Sequence, residues 1–260
     1  MNYIPEKYWS KVAQEIAKRN NGNVIAGDDE PYYEYKRQQF LKVFNQINFR
    51  GKSVLELGSG PGGNLREVLR HLPARLVGVD LSENMLQLAA QNVNNNTVEL
   101  IKTDGTGIPL PDNAMDIVYS VTVLQHNTDY NMFRLYLEEM GRVAREKVIL
   151  FERTEATEKG DELNIGRPIS TYVEILKNKG FELVATQYLP IHVSYYVCGA
   201  IRKLFNPANR IEGEPLSKLS LFLEKATLPI TRLMDPFFIL KKEVTKMEFQ
   251  KINQAPVAGY

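Results

Sequence analysis

Short apolar runs alternate with helix-length stretches through the middle of the chain, and this alternation limits the fold more than any other feature. The runs are rich in valine, isoleucine and leucine, and they read SVLELG, RLVGVD, TVELIKT, AMDIVYSV and KVILFE. Helical spacing follows most of them, at residues 64–72, 82–93 and 130–144. Strands that alternate with helices of this length form βαβ units, so the chain is predicted to be an α/β protein with a mainly parallel sheet.

Further elements are predicted on both sides of this region. Residues 5–19 and 34–47 have the apolar spacing of amphipathic helices, and a helix at 169–179 precedes FELVATQYLP, a sixth strand. The run FFILKKEV, at 237–244, is predicted to be a seventh strand. The interval 191–235 between these two strands is apolar, aromatic and basic, and it is expected to be helical.

These elements divide the chain into four predicted parts. They are an N-terminal helical cap or lid (1–50), a Rossmann-like core (51–190), a helical insert (191–235), and the last strand with a tail (236–260). The insert has three interpretations: extra core over a sheet edge, a lid on a substrate, or an interfacial helix that contacts a membrane. The turn-rich segment 22–37 is a second candidate for a lid.

Composition excludes several classes of protein. The 260 residues carry 32 basic and 31 acidic side chains, so a net charge of +1 gives no global electrostatic footprint for nucleic acid. A single cysteine, Cys198, excludes an internal disulfide and a cysteine-based zinc site, and no metal site is predicted. The N-terminal residues lack a secretory pattern, and no apolar run is long enough to span a membrane. We therefore expect a cytoplasmic protein.

The first strand ends in a glycine-rich turn, VLELGSGPGGN, at residues 54–64. Gly58, Gly60 and Gly63 have the G-x-G-x-x-G spacing and open a helix, which is typical of a loop that lies against a nucleotide-type ligand. Glu56, just before the loop, would repel a pyrophosphate but suits a cationic ligand, so a dinucleotide-dependent dehydrogenase is disfavoured. The alternative role for Glu56 is a buried ion pair at the strand end.

Two more acids follow strands on the same predicted sheet edge. Asp80 ends the second strand, 22 residues after Gly58, where a carboxylate can accept hydrogen bonds from both ribose hydroxyls. Asp104 ends the third strand, where it can accept a hydrogen bond from an adenine amino group. Either residue alone is commonly a turn residue. Three acids at successive strand ends favour a cationic ligand that contains a nucleoside.

Together these motifs resemble the class I S-adenosylmethionine-dependent methyltransferases, in particular the group that acts on small molecules. The resemblance covers about residues 50–190 and rests on VLELGSGPGG, VGVDLSENML, IKTDGTGIPLPDNAMDIVYSVTVLQH and RVAREKVILFE. It implies a doubly wound, Rossmann-like sheet of seven strands with a reversed last strand. It also implies that S-adenosyl-L-methionine binds across the carboxyl ends of the first strands.

The resemblance further implies which residues contact the cofactor. The methionine end of the cofactor would face Glu56 and the glycine loop. The ribose would face Asp80, and the adenine would face Asp104. Family members often place an N-terminal arginine or tyrosine over the cofactor carboxylate, because arginine binds a carboxylate bidentately. The full set of expected cofactor contacts is Glu56, Gly58, Ser59, Gly60, Asp80, Leu81, Met85, Asp104, Gly105, Thr106, Ser120, Val121, Arg37 and Tyr32.

Two side chains are candidates for a role in methyl transfer. The sulfonium already carries an activated methyl group, so the protein has to align a nucleophile, exclude water and, where needed, remove a proton. His126, after the fourth strand, is placed to act as the general base, unless it is only a hydrogen-bonded loop residue. Glu152 is predicted to end the fifth strand and to face the same cleft, with a surface ion pair to Arg153 as the alternative.

Three functions remain open from the sequence. The leading hypothesis is methyl transfer to an oxygen, nitrogen or carbon nucleophile of a small-molecule or sugar-like acceptor. The first alternative is a membrane-associated acceptor, lipid-linked or quinone-like, with peripheral membrane contact through 191–235. The second is a non-catalytic module that binds the cofactor. Nucleic acid is not expected as a partner, because no basic platform with interleaved aromatic residues is present.

Overall fold

The structure is a computed structural model that describes residues 3–19, 29–238 and 243–252. Its strands are β1 (Ser53–Leu57), β2 (Arg75–Asp80), β3 (Val98–Lys102), β4 (Met115–Val121), β5 (Ala144–Thr154), β6 (Lys159–Gly160), β7 (Ile165–Gly166), β8 (Phe181–Tyr188) and β9 (Glu243–Lys251). Its α-helices are α1 (Pro5–Arg19), α2 (Pro31–Phe44), α3 (Gly63–Leu69), α4 (Glu83–Val93), α5 (Tyr130–Val143), α6 (Ile169–Lys177), α7 (His192–Phe205) and α8 (Lys218–Met234). Helices follow most strands, as the sequence pattern predicts.

Seven strands form one sheet with the order β3-β2-β1-β4-β5-β9-β8. Strands β1 to β5 are parallel to their neighbours, whereas β9 pairs antiparallel with both β5 and β8. The last strand in the chain is therefore inserted in reverse between two earlier ones. This confirms the predicted doubly wound, seven-stranded, mainly parallel sheet with a reversed last strand.

The central strands are apolar on both faces at most positions, because helices cover both faces of the sheet. Successive side chains of a strand point to opposite faces. In β1, Leu55 belongs to the cluster that contains Phe133 of α5, while Val54 belongs to the cluster that contains Phe44 of α2. The carboxyl ends of β1 to β5 consequently meet at one edge between two helical layers, and the site lies at this edge.

The predicted position of the last strand is wrong. The sequence predicts this strand at residues 237–244, but β9 begins only at Glu243. A 3-10 turn at Asp235–Phe237 includes the first residue of the predicted run. Residues 239–242 lie outside the described residues. The true strand has a polar sequence because its charged side chains are paired inside the sheet, as in the ion pair between Lys147 and Glu248 at 2.7 Å.

The helical insert before the last strand is confirmed as α7 and α8, which pack against each other and against α2. Charged and polar groups join them. Arg202 of α7 donates to Glu224 of α8 at 2.6 Å. Asp235, just after α8, accepts hydrogen bonds from Ser194 of α7 and from Tyr35 of α2. The insert is thus tied to the wall of the sheet that α2 covers.

Two further predictions concern regions at the surface. Part of the candidate lid, at 22–28, lies outside the described residues, and the rest runs into α2. Among the residues that the structure describes, no helix is both long and apolar enough to cross a membrane.

Candidate functional site

A cavity of about 440 Å³ opens at the carboxyl ends of the parallel strands. Gly58, Asp80 and Thr103 border it from the ends of β1, β2 and β3, and Val121 borders it at the end of β4. Helices α1 and α2 form the opposite wall, where Trp9 is one of the lining side chains. The cavity is therefore enclosed between the sheet edge and the N-terminal helices.

The glycine loop uses its N–H groups within the protein. The amides of Gly58 and Ser59 both donate to the carbonyl of Val79, at 2.7 and 3.0 Å. The amide of Gly60 donates to the carboxylate of Asp80 at 2.8 Å. A phosphate-binding loop instead directs such groups at its ligand. This loop therefore does not supply the donors that a pyrophosphate needs, which agrees with the expectation of a different ligand.

The loop nevertheless leaves room for a ligand against its backbone. Gly58 has φ +70°, and a Cβ there would meet the Val123 side chain at 2.4 Å. Gly60 has φ +50°, and a Cβ there would find open space. The hydroxyl of Ser59 is buried and has no hydrogen-bond partner within the described structure. A nucleoside that lies along the loop would give this hydroxyl a partner, so these residues fit S-adenosylmethionine.

Glu56 lies one layer beneath the cavity rather than on its wall. Its side chain points to the face that α2 and α3 cover, and it accepts hydrogen bonds from Asn64 at 2.8 Å and from Tyr119 at 3.0 Å. Burial raises the pKa of its carboxyl to about 8. Asn64 lines the cavity and accepts a hydrogen bond from Arg37, which lines it too. Glu56 is therefore placed to orient Asn64 and Arg37, not to contact a ligand directly.

Asp80 lines the cavity where the ribose contact is predicted. Its two oxygens accept hydrogen bonds from the amides of Gly60 and Ser82. Each carboxylate oxygen can accept a second bond, so both can still bind a pair of hydroxyls. Burial raises the pKa of this carboxyl. Leu81 and Met85, the expected adenosine contacts, line the cavity beside it.

The expected adenine contacts are not on the cavity wall. The Asp104 carboxylate turns to the solvent and accepts hydrogen bonds from the amide and hydroxyl of Thr106, and these bonds lower its pKa. Gly105 is buried beneath the hydroxyl of Tyr136. The side chains that reach the cavity here are Thr103 and Tyr136. Strand β3 ends at Lys102, two residues before Asp104, and the Thr103 hydroxyl anchors the turn that follows by accepting a hydrogen bond from the Gly105 amide.

Glu152 does not face the cleft, and it does not pair with Arg153. It is fully buried, and it accepts hydrogen bonds from the Ser120 hydroxyl at 2.8 Å and from the amides of Val123 and Gln125 at 3.1 Å. Burial raises its pKa to about 7. Strand β5 continues to Thr154, so Glu152 is not the strand end that the sequence suggested.

The partners of Glu152 also explain the position of Ser120. Its hydroxyl is buried against that carboxylate, so Val121 alone of the predicted pair, Ser120 and Val121, lines the cavity. The Glu152 carboxylate holds the turn that leads into the 3-10 helix Leu124–His126. The Glu152 carboxylate therefore lies beneath the turn that leads to His126 and is not among the groups that line the cavity.

His126 lines the cavity, and its hydrogen bonds define its tautomer. Nδ1 lies 2.7 Å from the carbonyl of Leu163, which can only accept, so Nδ1 carries the proton in the neutral ring. Gln125 uses its oxygen to accept from the amide of Arg153, so its NH₂ group faces His126 Nε2 at 3.3 Å. Nε2 is thus the basic nitrogen. The ring of Trp9 meets the imidazole edge-on, with 4.9 Å between centroids.

Sequence reasoning missed most of the α2 wall. Four side chains with the spacing i, i+3, i+4, i+7 line the cavity from one face of this helix: Tyr33, Lys36, Arg37 and Phe40. Tyr32, the predicted contact, is on another face, where its amide donates to Glu224. The helix begins at Pro31 instead of residue 34, and counting back four residues from Arg37 would have found Tyr33.

Comparison with known proteins decides the family. A model of the methyltransferase domain matches residues 54–147. Over 168 residues the chain is 31% identical to "Uncharacterized methyltransferase YdaC" of Bacillus subtilis (strain 168), an alignment that covers 62% of this chain and 89% of the relative. The chain belongs to the class I S-adenosylmethionine-dependent methyltransferases. It is therefore a methyltransferase whose cofactor is S-adenosylmethionine, and the non-catalytic alternative is set aside.

Two further comparisons place this methyltransferase among its relatives. It is 30% identical over 112 residues to the fatty-acid O-methyltransferase of Mycolicibacterium smegmatis, covering 43% of this chain and only 40% of that protein. In fold it is similar to the magnesium protoporphyrin IX methyltransferase of Synechocystis PCC 6803, solved with bound SAH. That similarity has a TM-score of 0.58 at 14% identity and covers 95% of this chain and 98% of the other.

Proposed function

We propose that this methyltransferase transfers a methyl group to a hydroxyl oxygen of a largely apolar acceptor, with His126 as the general base. The observation that carries the proposal is the place of His126, which lines the cavity with Nε2 as its basic nitrogen and Trp9 against its ring. A base is needed when the attacking atom must lose a proton during attack, as a hydroxyl must.

The cavity beyond the cofactor residues supports an apolar acceptor. Aromatic side chains come to it from three helices, Trp9 from α1, Tyr33 and Phe40 from α2, and Tyr195 from α7. Such rings supply a large apolar contact area together with polar tips. Leu189 extends the apolar lining toward β9. A buried sugar needs hydrogen-bonding partners for its many hydroxyl groups, and the apolar faces of these rings do not supply them.

Charged and amide side chains also line this part of the cavity and would orient the acceptor: Lys36, Asn127, Arg153, Asn164, Glu212 and Glu243. Lys36 lines the cavity, and burial lowers the pKa of its ammonium group. The Nε of Arg153 is buried without a hydrogen-bond partner within the described structure, and it lies 4.0 Å from a carboxylate oxygen of Glu243. Pockets of this kind use a small number of placed polar groups to fix the orientation of an apolar ligand.

The residues that line the cavity would divide the chemistry between cofactor binding and proton removal. S-adenosylmethionine supplies a methyl group that is already activated on a sulfonium. Asp80 and the glycine loop would hold the cofactor, with Arg37 at its carboxylate end. His126 Nε2 would exchange its hydrogen bond from the Gln125 amide for one from the acceptor's hydroxyl and take up that proton, while the carbonyl of Leu163 stabilises the resulting imidazolium through Nδ1. Glu152 keeps the His126 turn in place from beneath, and α1 excludes water from above.

The relatives offer a second line of support. The Mycolicibacterium smegmatis relative is named for O-methylation of a fatty acid, which is an apolar acceptor methylated on oxygen. The chain spans less than half of that protein, so the likeness concerns the shared methyltransferase region only.

The test is a product assay with methyl-labelled S-adenosylmethionine and three acceptor pools: lipid-soluble phenols and acids, sugars, and amines. The proposal expects an O-methylated product from the first pool, identified by mass spectrometry. A product from only the sugar or amine pool would overturn it.

The base is tested with two matched variants. His126→Ala should lower turnover by about 10²- to 10⁴-fold while SAH affinity is retained, and added imidazole should restore part of the rate. His71→Ala is the control, because His71 lies away from the cavity and bonds to Asn45. If His126→Ala keeps the activity of His71→Ala, His126 is not the base.

A further inference from the structure

Helix α8 is inverted in polarity. Three of the four side chains that it buries are polar: Ser220, Glu224 and Thr231, with Leu228 as the fourth. The opposite side of the helix exposes Leu219, Phe222, Ile230 and Leu233. A helix on the surface of a globular protein normally shows the reverse arrangement, with its apolar stripe against the core. Polar side chains and Leu228 therefore make the contacts of α8 with the rest of the protein, and most of its large apolar side chains are exposed to solvent.

The exposed apolar side chains continue beyond α8. Phe237 follows the helix and is 82% exposed, and Leu204, at the end of α7, is 74% exposed. The two helices meet at this end, since the Ser217 hydroxyl donates to the carbonyl of Phe205 at 2.8 Å. We call the set Leu204, Leu219, Phe222, Ile230, Leu233 and Phe237 the outer face. Contiguous apolar patches of this kind mark interaction sites on soluble proteins.

The charged side chains that α8 itself exposes are all positive. Lys218, Lys225 and Arg232 recur every seven residues, so they form a row along one side of the apolar stripe, and all three are exposed. Between residues 218 and 238 the only carboxylates in the sequence are Glu224 and Asp235. Both are fully buried and hydrogen-bonded within the protein. The exposed side of α8 therefore combines apolar and cationic groups, with no exposed acid.

We propose that the outer face docks on the surface of an anionic phospholipid bilayer, with α8 lying in the interfacial plane. Apolar side chains beside a row of lysine and arginine are the arrangement that binds such an interface. Each basic residue near an anionic surface adds to the attraction. A second copy of the chain is a poorer occupant, because a symmetric contact would bring the same positive rows together.

Helix α8, which carries most of the outer face, packs against α2 and α7. Both of these helices line the cavity, α7 through Tyr195 and α2 through Tyr33 and Phe40. Docking would hold the wall that they form at the bilayer surface, where apolar molecules are concentrated. The inference extends the proposed function but rests on the surface residues alone.

The experiment is flotation of the full-length protein with vesicles of phosphatidylcholine and phosphatidylglycerol (3:1), and with phosphatidylcholine alone. The protein should float with the anionic vesicles and bind the neutral ones about tenfold more weakly. Phe222→Ser/Leu233→Ser should reduce the partition coefficient by about tenfold or more. Val184→Ser is the matched control, because Val184 is an exposed apolar residue on the sheet edge strand β8 and should change nothing.

A second pair of variants tests the charges. Lys225→Glu/Arg232→Glu should also lower the partition coefficient by about tenfold or more, since each basic residue near the surface counts. Arg50→Glu/Lys177→Glu, which makes the same charge change at exposed positions elsewhere, should have little effect. SAH affinity should be unchanged in all four variants, which shows that they are folded.

Three results would overturn the proposal: no flotation with anionic vesicles, equal binding by the outer-face variants and their controls, or self-association through this face without vesicle binding. The vesicles contain no acceptor and the assay no cofactor. Failure here would leave the product assay and the His126 test unaffected, and failure of those tests would leave this one intact.

Discussion

Asn64 donates a hydrogen bond to Glu56 across the glycine loop, with 2.8 Å between Nδ2 and Oε1. This bond fixes the amide of Asn64, so that its oxygen faces Arg37 on the cavity wall. Glu56 is thus a buried acid that orients Asn64 and Arg37, two residues that line the cavity. Any effect of Glu56 on a bound cofactor would be transmitted through these two side chains.

The buried acid makes stability depend on pH. Burial raises the pKa of Glu56 from 4.5 to about 8, so between these values the folded protein binds a proton that the unfolded chain has released. The stabilisation is complete below pH 4.5 and is lost as the pH rises through 8, at up to about 1.4 kcal/mol per pH unit. Burial raises the pKa of Glu152 to about 7, so its contribution to the free energy of unfolding should also fall as the pH rises.

Glu56→Gln should therefore flatten this dependence. The measurement is urea unfolding of the cofactor-free protein at pH 6, 7 and 8. The wild type should lose stability over this range more steeply than the variant does. Equal slopes in the two proteins would show that Glu56 does not hold the proton.

The turn at Gly58 should tolerate no side chain. Gly58→Ala adds a Cβ 2.4 Å from Val123 at φ +70°, whereas Gly51→Ala adds one at φ +68° with nothing within 4 Å. Both variants carry a similar backbone cost of about 1–2 kcal/mol. Gly58→Ala should lose about 1–3 kcal/mol more because of the overlap. Thermal and urea unfolding compare them, and equal losses would contradict the close contact.

Much of the fold follows from local sequence patterns. Short runs rich in valine, isoleucine and leucine, separated by helix-length stretches, located β1 to β5, because helices cover both faces of these strands. The pattern failed at β9, where Lys246 and Glu248 form an ion pair at 2.9 Å inside the sheet and give the strand a polar sequence. The preceding run FFIL has the apolar composition of a strand, but its two phenylalanines, Phe237 and Phe238, are exposed and lie outside the sheet.

The site was less predictable than the fold. The positions of the glycine loop and of Asp80 at the carboxyl ends of strands could be predicted, because a short spacing in the sequence relates each of them to its strand. The surroundings of Glu56 and Glu152 could not be predicted in this way, because their side-chain directions depend on strand length and on partners 8 to 63 positions away. Trp9 and Tyr195 reach the cavity only through the packing of α1 and α7, which no local pattern encodes.

The contact of the insert with α2 should depend on one buried cation. Arg202 pairs with Glu224 at 2.6 Å and with Glu30 at 3.0 Å, and both carboxylates are almost fully buried. Arg202→Met should cost about 3–5 kcal/mol, because it leaves a buried charge without its partner. Lys203→Met is the matched control at the next, exposed position. The account fails here if urea unfolding finds the two variants equally stable.

The central claim is that the cavity between the glycine loop and the N-terminal helices holds the cofactor, with its reactive end toward His126. A crystal structure of the SAH complex tests this most directly. It should show the ribose hydroxyls within hydrogen-bond distance of Asp80, the adenosine against Leu81 and Met85, and the sulfur on the side of the cavity that His126 lines. SAH bound elsewhere, or with its ribose away from Asp80 or its sulfur facing away from His126, would contradict it.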